Sequence, residues 1–358
     1  MIKRKHYSVL MVLGMLSVLA FAAGNVSAQT ASLTAYATTA TITLDGDTAE
    51  AAWGDADSFS LTDVDGSGVD VTLKALHDST HIYMYATWTD ATESNTRKGW
   101  SYNGTTWTNL GGNEDRMNFA WSIGGADIVC VHNAGNSGGD TTKLFDIWHW
   151  KAVRTAPGGW ADDKFWDGTG RHSDAKTAGG YSDNSVVAQA ADSAAITTAL
   201  GNNSAVAAFS SDDRPFWDAA GAEITWTAGD NASALTDFIS GYKTVSPTGS
   251  RGDVQTGSQY DGSSWHVEYK RALDTTNDDD LSFAIGTTYT FYLSLHDNAG
   301  DEDHFISGGP SSPQAITLDV SAATGPTTAA PLDTTLLLVV AGGAVAVIVI
   351  AVIVLKKR

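Results

Sequence analysis

Between residues 114 and 123 the chain reads EDRMNFAWSI, with Met117, Phe119, Trp121 and Ile123 at alternate positions. A period of two predicts a strand with one buried face, because successive side chains point to opposite sides of the sheet. Similar short runs rich in aromatic and β-branched residues recur at 69–76, 82–88, 265–273 and 289–296, set off by clusters of Gly, Asp, Asn, Ser and Thr. Helix signals are scarce. The pattern predicts an all-β fold, an immunoglobulin-like or jelly-roll-type antiparallel β-sandwich with long loops. Residues 41–44 read as an entry strand, followed by a turn and a short segment ending at Trp53. The stretch from 152 to 245 reads as loops over one end of the sandwich. Met117 is the chemically unusual member of its row, since beyond Met1 and the leader the chain has only Met84 and Met117. A buried methionine ordinarily fills a gap in a core. A thioether on an inward row is also a haem-iron ligand.

Both ends carry addresses. Lys3-Arg4-Lys5, an apolar run from 7 to about 23, and small residues at Val26-Ser27-Ala28 form a secretory signal, with cleavage expected after Ala28. Residues 334–355 contain no charge and are followed by Lys356-Lys357-Arg358. As a helix that segment is about 33 Å long, enough to span a bilayer, and the basic tail puts the C-terminus in the cytoplasm. The expected order is a signal peptide at 1–28, a sandwich ectodomain at 29–320, a Thr/Ala/Pro stalk at 321–333, a transmembrane helix at 334–355 and a basic tail at 356–358. The expected location is the cell membrane, single-pass type I, with the domain extracellular or periplasmic.

The formal net charge is −20, and all 41 acidic residues fall between 29 and 333, so the ectodomain is more acidic still. Such a surface repels nucleic acid and anionic headgroups, and suits cations or a basic redox partner. The single cysteine, Cys130, rules out an internal disulfide and a Cys-x-x-Cys-His haem attachment, so any haem is held non-covalently. Sequons at Asn103, Asn202 and Asn231 are compatible with glycosylation of an exported chain.

Six pieces in order carry a resemblance: residues 44–53 (LDGDTAEAAW), 71–90 (VTLKALHDSTHIYMYATWTD), 114–121, 146–152 (DIWHWKA), 265–273 (WHVEYKRAL) and 295–298 (LHDN). Together they span most of 40–305 and resemble the haem-binding subunit family of ethylbenzene dehydrogenase. That family is similar in fold to family-nine carbohydrate-binding modules and DOMON domains. The Asp-Gly…Trp entry and the Trp-x-Asp strand end are shared with the sugar-binding relatives, whereas Trp-His-Trp-Lys leans to the haem branch. The resemblance implies one b-type haem inside the sandwich with methionine and lysine as axial ligands, carried here onto Met117 and Lys270. It further implies an electron carrier rather than an enzyme, partnered by a molybdenum oxidoreductase or a respiratory-chain component. Unlike the soluble subunits of that family, this chain carries its own anchor.

The residues place conditions on that ligand set. A lysine must be neutral to bind iron, which at pH 7 costs roughly 4–5 kcal/mol from a pKa near 10.4. Trp265, Val267, Tyr269 and Arg271 share one strand face, and Lys270 lies on the other with His266 and Glu268. A bulge is needed to turn Lys270 inward, while Arg271, if inward, suits a haem propionate. His149, framed by Trp148 and Trp150, is the rival second ligand, imidazole being the commonest protein ligand of haem iron.

Other constellations are weaker. The loop 297–303, DNAGDED, offers oxygen ligands of the kind calcium takes, without EF-hand spacing; a solvated turn is the competing reading. Cys130 and His132 fall on one short segment and read as core residues. No nucleophile elbow, zincin, Walker or dinucleotide fingerprint is present. Acid pairs such as Asp162-Asp163 and Asp212-Asp213 are too common in this chain to argue for glycosidase chemistry. The alternatives to a haem domain are a carbohydrate-binding module using exposed tryptophans between 148 and 226, and a cell-surface structural protein that kept the fold.

Overall fold

The computed structural model describes residues 31–325 apart from 48–49, 105–106, 126–142, 168–169, 174–179, 184–215, 218–222, 225–236, 246, 300–304 and 309–312. The leader, residues 326–333, the apolar segment 334–355, Cys130, His132, Asp212, Asp213, Asn202 and Asn231 lie outside the described residues. Among the described residues no helix is long and apolar enough to cross a membrane.

Thirteen strands form one sheet. In chain order they are β1 (Ser32–Ala37), β2 (Phe59–Leu61), β3 (Val71–His77), β4 (His81–Thr89), β5 (Arg116–Ser122), β6 (Lys143–Lys151), β7 (Asp162–Asp167), β8 (Gly170–Ser173), β9 (Gln255–Tyr260), β10 (Ser264–Ala272), β11 (Thr288–His296), β12 (Phe305–Ile306) and β13 (Ile316–Thr324). The spatial order is β8-β7-β6-β5-β11-β13-β1-β3-β4-β10-β9, with β12 beside β11 and β2 beside β3. β1 runs parallel to both its neighbours and joins two antiparallel halves.

The halves fold face to face because each strand holds its bulky apolar residues at every second position. Met117, Phe119 and Trp121 on β5, Trp148 and Trp150 on β6, and Phe291, Leu293 and Leu295 on β11 share one buried core. The opposing half contributes Val71, Leu73 and Ala75 from β3, Met84, Ala86 and Trp88 from β4, and Trp265, Val267 and Tyr269 from β10. Rings meet across the interior: Phe119–Tyr269 at 5.2 Å, Trp88–Trp150 at 5.6 Å and Trp150–Trp265 at 4.9 Å between centroids. This is the antiparallel-rich sandwich expected from the alternation. Each buried large apolar side chain stabilises it by about 1.5–3 kcal/mol.

Three local readings differ from the structure. Residues 41–44 are not a strand, and the first strand is β1. Instead Asp45-Gly46 and Trp53 pack on the outside of β10, gathered by the buried carboxylate of Glu268. It accepts from Trp53 Nε1 at 2.7 Å, Asp45 N at 3.0 Å and Gly46 N at 2.9 Å. Gly46 has φ +80°, and a Cβ there would lie 2.5 Å from the Gln259 nitrogen, so the Asp-Gly turn tolerates no side chain. Residues 162–167, read as loop, are strand β7, because the charge of Asp162 is met inside the fold rather than at a solvated turn. Finally, β13 continues to Thr324, four residues into the segment read from composition as a stalk.

Glu268→Ala leaves three N–H donors without this acceptor, those of Gly46 and Trp53 buried and that of Asp45 part-buried. It is expected to destabilise the domain by about 3 kcal/mol or more, measured by urea unfolding; a change under about 1 kcal/mol would contradict this role of the carboxylate.

Candidate functional site

Met117 is fully buried on the inner face, opposite Leu295 on one side and Trp150 on the other. Next along β5, Phe119 stands opposite Trp148, and Trp121 opposite Asp146. Phe119 touches Trp148, Tyr269 and Phe291 edge-on at 5.2–6.3 Å, and Trp121 lies 5.1 Å from Trp148. Met84, the other thioether of the domain, is fully buried in the same core, opposite Tyr269 and Ala75 in the facing half.

This interior is not a dry hydrocarbon core. Trp121 Nε1, Trp148 Nε1, Trp150 Nε1 and the Tyr269 hydroxyl are all buried without a hydrogen-bond partner. Burial alone pushes the Tyr269 phenol well above its ordinary value. An unpartnered buried donor costs about 1–3 kcal/mol, so four within one core, Trp150 among them opposite Met117, suit an interior that receives a group bearing acceptor atoms.

The other candidate ligands do not join Met117. The pairing of β10 with β9 and β4 runs without a register break from Trp265 to Lys270. The bulge that would turn Lys270 inward is therefore not there, and Lys270 stands on the outer face between Gln255 and Tyr83. His149 lies opposite Asn118 and Asp162, on the face of β6 away from Met117, its ring 6.4 Å from that of His296. The same alternation that brings Trp148 and Trp150 inward turns His149 out.

Arg271 does point inward and is buried. Its guanidinium bonds Asp146 and the Leu281 carbonyl, and lies 5.2 Å from the ring centres of both Trp148 and Phe283. Burial pushes the Asp146 carboxyl up to about 6 against the pull of Arg271. With those partners engaged, Arg271 is an internal charge pair of the core, and a propionate would have to displace Asp146.

Two buried charge networks escaped the sequence reading. Lys151 is 1 % exposed and its ammonium bonds Asp162, which also accepts from Lys164 at 2.8 Å and Arg251 at 2.9 Å. Burial drives the Lys151 ammonium well below its ordinary value, despite Asp162. Lys151 stands opposite Arg116, so it too faces away from Met117. Glu114, fully buried, accepts from the backbone N–H groups of Val153 at 2.9 Å and Arg154 at 3.1 Å and pairs with the Arg154 and Arg97 guanidiniums. The available signal was the Lys at the end of DIWHWKA and the Glu-Asp-Arg before Met117, charges abutting dense apolar runs.

A family model described as ethylbenzene dehydrogenase matches residues 37–305. The chain belongs to that family. Among solved structures it is similar to a family-nine carbohydrate-binding module from Caldicellulosiruptor kristjanssonii, in complex with glucose and again in complex with cellotriose. Each comparison gives 10 % identity, 84 % of this chain, 99 % of that chain and a TM-score of 0.35. No curated protein matches the chain.

The haem that the family implies can be tested against these residues. Met117 fits: it is a soft donor, buried, on the inner face of a core that holds unpartnered indole and phenol donors. Lys270 and His149 do not, since each stands on an outward face. The rings also fill the space between the halves, so a porphyrin beside Met117 requires Phe119, Trp148 or Trp150 to turn out of their present contacts.

Glu114 gives a pH prediction. Burial works to raise its carboxyl, and Arg154, Arg97, Lys151 and Arg116 outweigh it, holding the group below the usual carboxylate value. A depressed folded value means stability that is present above the unfolded pKa and lost as pH falls through the folded one. Glu114→Gln is therefore expected to cost about 3–5 kcal/mol at pH 7, with the difference from wild type shrinking below pH 4 in urea unfolding. An unchanged difference at acid pH would contradict it.

Proposed function

We propose that this chain is a non-catalytic haem b domain that carries electrons at the outer face of a membrane, with Met117 as one axial ligand. The observation that carries the reading is the burial of Met117 on the inner face of a core that holds four unpartnered ring donors, in a chain of the ethylbenzene dehydrogenase family. When bound, haem supplies one-electron exchange, and a thioether ligand favours a raised potential suited to transfer. The chain's own part is to hold the sulfur in place, exclude water and keep the buried charges paired. Met84 is the soft donor that the opposing half buries in the same core, and it would be the residue to hold the iron with Met117 in place of Lys270 or His149.

The signal peptide and the apolar segment 334–355 make this an exported domain anchored by its C-terminus. Its acidic surface suits a basic redox partner, in this family's case a molybdenum oxidoreductase or a respiratory-chain protein. Carbohydrate binding is less well supported by the side chains. Trp148, Trp150, Trp160 and Trp166 are all buried and offer no sugar platform, while the side chain of Trp217, and Trp226, fall outside the described residues.

The test is an absorption spectrum of the full chain, purified in detergent with haem supplied. On dithionite reduction a sharp Soret band with separate α and β bands is expected. Met117→Ala and Met84→Ala should each abolish the sharp α band, while Lys270→Ala and His149→Ala keep it. A folded, colourless protein that takes up no haem would contradict the reading.

A further inference from the structure

Three carboxylates converge where three strands end. Asp90 follows β4, Asp115 precedes β5 and Asp297 follows β11, and one carboxylate oxygen from each lies within 4.8 Å of the other two. They share no strand and are far apart in sequence, so the fold assembles them.

Among the described residues, the groups that hold them are hydrogen-bond donors and not cations. Asp115 is fully buried and held by three N–H donors: Asn298 N at 2.9 Å, Ser94 N at 2.7 Å and Trp265 Nε1 at 2.9 Å. Asp90 is 5 % exposed. One of its oxygens accepts from Thr92 N at 2.9 Å, and the other, Oδ2, is buried without a partner. Asp297 is exposed and opens the cluster to solvent. Among the described residues none of the three forms an ion pair. Arg116, next along the chain, instead gives its guanidinium to the Ala299 carbonyl at 2.6 Å.

A second acidic cluster makes the contrast. Asp146, Asp163 and Asp280 also converge, but Arg271 stands among them and supplies the positive charge. Among the described residues no Lys, Arg or His pairs with Asp90 in that way. Burial, and then Asp115 and Asp297, push the Asp90 carboxyl up to about 7, as expected of carboxylates crowded together without a counter-ion.

We propose that Asp90, Asp115 and Asp297 bind a calcium ion that ties the ends of β4, β5 and β11 together. The donor set is all oxygen, which selects a hard cation. Two buried carboxylates and one exposed one suit the flexible six to eight ligands that calcium takes, at about 2.3–2.6 Å, better than the strict octahedron of magnesium. Water and main-chain carbonyls complete the shell from the open side at Asp297. The site is independent of the haem reading and stands or falls without it.

Terbium is the probe, because the Trp265 indole bonds Asp115 directly and will sensitise a lanthanide bound there. The full chain, stripped with chelator and titrated with terbium in 0.2 M salt, is excited at its tryptophans. One saturable emission is expected, displaced by calcium and weakened at least tenfold in both Asp297→Asn and Asp90→Asn. Calcium should raise the Tm of wild type and leave that of Asp297→Asn unmoved. Asp297 is exposed, so its variant serves even if Asp90→Asn fails to fold. A triple change of Asp301, Glu302 and Asp303 to amides should leave the signal intact. The proposal is overturned if Asp297→Asn keeps the calcium-displaceable emission, if only the triple variant loses it, or if neither emission nor Tm responds.

Discussion

The contact on which the rest depends is that of Phe119 and Trp148 with Tyr269, where the two halves of one sheet close on each other. Phe119 lies 5.2 Å from Tyr269, and Trp148 6.5 Å. Without that contact the sheet is an open ribbon joined through β1, and Met117 and Met84 have no common interior. Closure also sets the electrostatics of the inner face, since it removes water there and Asp146 meets the charge of Arg271. On the outer face Lys151, Lys164 and Arg251 gather round the buried Asp162. Breaking either pair leaves a lone buried charge, which is why such networks are costlier to disrupt than exposed ones.

Charge is also distributed unevenly between inside and outside. The chain has 21 lysines and arginines against 41 acids, and several of the cations are consumed inside the fold: Arg116, Lys151, Arg154, Lys164 and Arg271 are all buried. More acids than cations are buried with them, among them Glu114, Asp115, Asp146, Asp162, Asp163 and Glu268, so the acidity of the surface comes from the overall excess of acids in the chain and not from burial of its cations.

Much of the fold was legible because alternation is a local property. The runs around Met117, Met84, Tyr269 and Leu293 are the strands β5, β4, β10 and β11, and those around Met117 and Tyr269 turn inward the faces that the alternation marks. The face of Lys270 was legible for the same reason, and the unbroken register of β10 keeps it outward. What the sequence hid depends on partners far along the chain. Asp162 and Asp163 look like a polar turn until Lys151, Lys164 and Arg251 close round the first of them. Asp45-Gly46 and Trp53 resemble a strand entry until Glu268, more than 200 residues away, is seen to hold them. Asp115 looked like part of a charged lead-in to a strand, and only the fold brings it to Asp90 and Asp297. His149 read as a ligand because its neighbours are tryptophans, yet adjacency in sequence puts neighbours on opposite faces of a strand.

The central claim is that the Met117 sulfur reaches haem iron inside the sandwich, and the reduction potential tests it most directly. Replacing a thioether ligand by imidazole lowers the potential of a haem, because sulfur favours the reduced iron. The haem-loaded full chain and its Met117→His variant should be titrated side by side by spectroelectrochemistry. A clear drop in midpoint potential with haem retained is the predicted result. Equal potentials in the two proteins would show that Met117 does not touch the iron, and would contradict the account.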